Sequence, residues 1–322
     1  MEERLLPLNG LLALLEPHDP TVPLLYRNGF RLQALEVPMT GELGKVVVDA
    51  VLFHPEHSLV VLCECKSGAN IEPGQARRYA AIDAGTAVNS ARISLPRRVD
   101  PVVDVLYSCQ GQHLPRIKQG LSAERITCTV IGVSPSGMIF DCPPSAARVL
   151  REALQPTTIA FPRVLPRLIG LDHDSPRQAF EPAVMAQLVV AMAHRRGQAS
   201  VRYIAEQAVP HLALYGHRTR VQLVKKVGEA ARAIASAESA SFLYQPPQAG
   251  DQDGGIVHLL RSPEDNDPRG RTQGYQALMR GSRVRRRKSV SIDPGQLDLL
   301  RELAQADDEG GDDVTGTGEE AP

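Results

Sequence analysis

Residues 46–68, VVVDAVLFHPEHSLVVLCECKSG, constrain this chain more than any other stretch. Two β-branched, nearly continuous apolar runs, 45–53 and 59–66, flank a short polar turn. Runs of that kind read as central strands covered on both faces. Yet Asp49, Glu64 and Lys66 lie inside them, and a buried charge is costly unless it is paired. Strand side chains alternate, so Glu64 and Lys66 share a face and Cys65 points to the other. A four-residue turn, PEHS over 55–58, sets His54 opposite Leu59 and, counting back, Asp49 opposite Glu64. A five-residue turn would shift the register and separate the two carboxyl groups.

Two carboxylates held close repel, and burial sharpens the conflict. A divalent cation between them resolves it. Oxygen donors suit Mg²⁺ or Mn²⁺, with the Cys65 carbonyl as a third ligand. Such an ion lowers the pKa of a coordinated water and stabilises charge growing on a phosphate. Lys66 beside it can orient that water or offset the phosphate charge. The chain uses 30 Arg but only 6 Lys, which makes a lysine at this spot more informative. The competing reading is a plain ion-pair set on an edge strand.

With 322 residues, 43% of them hydrophobic, the chain can bury the cores of two domains. No apolar run reaches roughly 18 residues, so no membrane span is expected. Five cysteines without a CxxC pair fit reduced thiols in a cytoplasmic protein rather than a zinc site. The formal charge of −1 hides an asymmetry. Residues 302–322 hold eight acidic residues and no Lys or Arg, so the rest of the chain carries +7 (36 basic against 29 acidic). A basic body with an acidic tail suits a polyanionic partner, but charge alone favours a merely solvated surface.

Along the chain, a short helix over 8–16 precedes strands at 30–38, 45–53 and 59–66. A helix over 74–88, a strand at 103–109, a helical segment near 112–122 and a strand at 125–133 follow. That order predicts a compact α/β domain over 1–175, ending in a Pro-rich stretch at 143–177. Residues 176–262 offer helices at 179–197, 201–209 and 218–237, then a hairpin from 241–247 and 255–261. Three helices followed by a hairpin is the order of a winged-helix domain. Residues 263–322 read as linker, basic run (RVRRRK, 283–288), one more helix candidate (294–306) and an acidic, Gly-rich tail of disordered composition.

Asp49-x₁₄-Glu64-Cys65-Lys66 on adjacent strands, after a helix and a first strand, resembles the PD-(D/E)XK nuclease superfamily, the restriction-endonuclease-like fold. Gln75 and Tyr79 in the following helix resemble the Q-x₃-Y element of its RecB-like and Cas4-like groups. The resemblance covers roughly 8–135 and departs from the pattern at Val48, where a proline often precedes the Asp. It implies a mixed-sheet core and Mg²⁺-dependent cleavage of phosphodiester bonds, usually in DNA. Asp49, Glu64 and the Cys65 carbonyl would hold metal, Lys66 would position water, and Gln75 and Tyr79 would steady the site. Many members add an acid from the first helix, for which Glu16 is the candidate, with Glu36 and Glu42 behind it.

Plainer readings stand beside these. Gln75 and Tyr79 fit ordinary helix capping and packing equally well. Arg77, Arg78, Arg97 and Arg98 suit phosphate contacts or a solvated face. His54 and His57 belong to a turn rather than a metal pair. In the third helix of the second domain, Arg218, Arg220, Lys225, Lys226 and Arg232 suit DNA, whereas winged helices also bind proteins or form dimers. The sequence therefore points to a DNA endonuclease for defence against foreign DNA or for repair. A non-catalytic DNA-binding or assembly protein on the same scaffold is the alternative, and RNA a further substrate. A homodimer would allow double-strand cuts.

Overall fold

The computed structural model describes residues 3–17, 23–95, 99–155, 157–161, 165, 167–248 and 254–260. The basic run at 283–288, the helix candidate at 294–306, the tail, and Arg97 and Arg98 lie outside the described residues.

The chain is an α/β protein built on a seven-stranded mixed sheet in sequential order. Helix α1 (Leu6–Ala13) and the short α2 (Leu24–Arg27) lead into β1 (Arg31–Gly41), β2 (Gly44–His54) and β3 (Leu59–Lys66), which pair antiparallel. Helices α3 (Gln75–Ala80) and α4 (Ala84–Ser90) cross over to β4 (Val102–Gln110), parallel to β3. Helix α5 (Leu114–Ala123) crosses to β5 (Thr129–Ser134), again parallel. Then β6 (Gly137–Asp141), α6 (Arg148–Ala153) and β7 (Thr158–Ala160) finish the sheet antiparallel.

Each face of the sheet carries its own apolar core. One holds Val51, Val60, Leu62, Tyr79, Ile82, Tyr107 and Val130 under α3, α4 and α5. The other holds Leu52, Val61, Cys63, Leu106 and Ile131 against α1 and continues without a break into the helical second half. That half comprises α7 (Arg177–Ala193), β8 (Gln198–Ser200), α8 (Val201–Ala208), α9 (His217–Ala237), β9 (Phe242–Gln245) and β10 (Ile256–Leu259). Its strands form a three-stranded sheet in the order β8-β10-β9. Buried Asn9 ties α1 to the segment before α7, accepting from the Ile169 amide at 2.7 Å and donating to the Ile169 carbonyl at 2.9 Å.

Three expectations change. The single helix over 74–88 is two, because Asp83 caps a new start by accepting from the Thr86 amide at 2.8 Å. The helix over 179–197 ends at Ala193, and residues 198–200, assigned to no element in the sequence, pair with β10. The Pro-rich stretch is no mere linker: it supplies α6 and β7. Among the described residues no helix is long and apolar enough to cross a membrane.

Candidate active site

The turn after β2 has the four-residue register, with His54 opposite Leu59 and Ala50 opposite Cys63. Ladder pairing ends there, one row short of the expected Asp49–Glu64 pair, while β3 runs on to Lys66. Beyond that row side chains meet the backbone groups. Asp49 Oδ2 accepts from the Cys65 amide at 2.6 Å. The Tyr79 hydroxyl donates to the Val47 carbonyl at 2.8 Å. A residue's amide and carbonyl face the same strand edge, so the Cys65 carbonyl opens toward Asp49.

Glu64, only 5% exposed, is the centre of the cluster. Its Oε1 lies 2.8 Å from Lys66 Nζ and accepts from Gln75 Nε2 at 2.9 Å. Its Oε2 is in hydrogen-bond contact with the Tyr79 hydroxyl. Gln75 and Tyr79 reach Glu64 together because they stand one turn apart on α3. Burial, and then the Glu64 charge, pushes the Asp49 carboxyl well above the usual carboxylate range, against the pull of the Cys65 amide. Burial and the same Glu64 charge push the Tyr79 hydroxyl up. Gln75 Oε1 is buried without a hydrogen-bond partner.

The structure thus gathers Asp49, Glu64, Lys66, Gln75 and Tyr79 in one place. Glu16 goes elsewhere, with its Oε1 2.9 Å from His211 Nε2, and Glu42 sits at the exposed β1–β2 turn. Arg77 is held 2.6 Å from Glu124, and Arg78 is half-buried with its Nε unpartnered. On α9, Arg218 and Lys225 are exposed and Arg220 is half-buried, while Lys226 donates to the Ser175 carbonyl at 2.6 Å. His54 is buried edge-on against Phe30 in the turn. All five cysteines are free thiols, and burial raises the Cys63 and Cys65 thiols well above their ordinary value.

Two placements went unread in the sequence. Glu36, named there only as a reserve for the acid of the first helix, stands across from Asp49 on β1, since Leu35 pairs with Ala50 and Val37 with Val48. Counting back from the Gly41–Gly44 hairpin would have placed it there. Tyr107, across β3–β4 from Glu64, is fully buried with an unpartnered hydroxyl. No sequence signal distinguishes it from a core aromatic.

Among the described residues no three His, Cys, Asp or Glu side chains converge as a ready-made metal cluster. The donors present are two carboxyl groups, a backbone carbonyl and the unpartnered Gln75 oxygen. All are hard oxygens, the donor type that Mg²⁺ and Mn²⁺ take. Comparison with family models, with curated proteins and with solved structures returns no match to this chain.

Proposed function

We propose that this chain is a PD-(D/E)XK-type endonuclease that hydrolyses DNA phosphodiester bonds with Mg²⁺, and that its helical half is a winged-helix module contacting DNA or a protein partner. The observation that carries the reading is the convergence of Asp49 and Glu64, with Lys66 on Glu64, where β2 leaves β3. A buried Asp49 whose ionisation the neighbouring Glu64 charge makes costlier serves no packing purpose, and such perturbed groups concentrate at functional sites.

Asp49, Glu64 and the Cys65 carbonyl would hold the cation, which supplies positive charge for a phosphate as it gains negative charge. Lys66 orients the water that attacks phosphorus while the bond to one sugar oxygen breaks. Gln75 and Tyr79 fix the Glu64 rotamer. In the helical half, the helix-strand-helix-helix-hairpin order and the β8-β10-β9 sheet support the winged-helix reading. His217, Arg218, Gln222 and Lys225 on α9 are exposed and available to a phosphate backbone.

One observation favours the scaffold reading instead: protein groups already engage both Glu64 oxygens. Plasmid and single-stranded DNA, with RNA in parallel, offered with Mg²⁺, Mn²⁺ or EDTA, separate the two. Cutting that needs metal and falls about 100-fold or more in Lys66→Ala supports the enzyme. Binding to DNA without cutting, indifferent to EDTA, supports the scaffold.

A further inference from the structure

Glu36 has a backbone φ of +48°, in the region that L residues with a side chain rarely enter. Such a conformation persists only where its surroundings hold it. Side-chain alternation breaks at the same place. Leu35 and Val37 have the same parity yet lie in different cores, and so do Val48 and Ala50 on β2. Both breaks fall on one row, Glu36 opposite Asp49. The bend that aims Asp49 at β3 is therefore made jointly with the turn at Glu36.

The groups holding Glu36 come from the helical half and the segment leading into it. Thr219 Oγ1 on α9 donates to Glu36 Oε2 at 2.9 Å. His173 Nδ1 lies 2.9 Å from the same oxygen. The Gly216 amide donates to the Leu35 carbonyl at 2.9 Å, and a Cβ on Gly216 would stand 2.6 Å from the Glu36 carbonyl oxygen. Tyr215 forms a parallel bridge with Leu35. Around this seam, Arg4 binds Asp172 through both oxygens and Lys226 holds Ser175.

We propose that Glu36 is a positioning residue for the carboxylate pair that would hold the cation, through which docking of the helical half sets Asp49. The proposal rests on the metal-dependent reading above. Docking and cation capture are then one linked equilibrium, and each strengthens the other by the same factor. A partner that pulls α9 off the seam weakens the cation site, and one that seats it tightens the site.

The test is amide hydrogen exchange on the full chain, with and without saturating Mg²⁺ or Mn²⁺, comparing segments 46–66 and 212–220. The proposal expects the metal to slow exchange in both. Protection of 46–66 alone overturns it and leaves the cation site standing. Protection of neither overturns the cation site and the proposal together. Thr219→Val removes the hydroxyl with little change of shape. It should weaken Mn²⁺ binding, read by calorimetry, by about fivefold or more, and Thr219→Ser should restore it. A Thr219→Val protein that exchanges faster over 212–220 but binds Mn²⁺ within about twofold of the parent also refutes the coupling.

Discussion

At the scale of single residues, Asp49 is a buried acid whose ionisation costs the folded chain stability. Its carboxyl is raised in the folded chain, so the folded state binds its proton more tightly than the unfolded state does. Without metal, its contribution is fully present below the ordinary carboxylate range and is lost as pH rises through the folded value. Asp49→Asn removes that loss. Thermal melts of the EDTA-treated protein should show the variant gaining on the parent as pH rises above the ordinary carboxylate range, and a constant gap across pH would contradict the raised carboxyl. Tyr79 makes a second case. Tyr79→Phe strips the Val47 carbonyl of its donor and frees Glu64 Oε2. The expected cost is about 1–3 kcal/mol in urea titration, and the proposed nuclease activity would fall with it because Glu64 gains freedom.

At the scale of elements, the joints matter more than the rods. Asp83→Ala deletes the cap that starts α4 and should cost about 1 kcal/mol. Gly216→Ala drives a methyl into the Glu36 carbonyl, a contact with backbone that cannot swing aside. It should destabilise by about 1–3 kcal/mol and raise proteolysis at the seam. Strands β1 to β5 were legible, whereas β6 and β8 were not read. Unbroken Val and Leu runs have few alternatives, and a turn beginning with Pro55 sets the β2–β3 register by its length. Gln75 and Tyr79 were legible as a pair because helical spacing is local. The bend at Glu36 and Asp49 was not, because a positive φ at a glutamate is imposed by Gly216, Thr219 and His173 from far along the chain. Strand β7 was hidden for a similar reason. Three residues amid prolines carry no periodic pattern, and only pairing to β6 makes them a strand.

At the scale of the whole molecule, the division near residue 176 is one of topology rather than of cores. Phe180, Val184 and Leu188 of α7 belong to the same apolar cluster as Leu11 and Leu12 of α1 and Leu106 and Ile131 of the sheet. Phe180→Ala should therefore cost about 3–5 kcal/mol and lower a single calorimetric transition. Two separated peaks, only one of them moved, would show instead that the halves melt independently.

The seam also decides how this sheet meets the outside world. β1 is its long outer strand, and a long bare edge invites a second chain to add itself on. Here the Leu35 carbonyl is already taken by Gly216, Tyr215 lies alongside, and Pro38 offers no amide. A ribbon interrupted this way is a poor template for stacking copy upon copy. The same seam that holds Glu36 thus also covers part of the sheet's open edge.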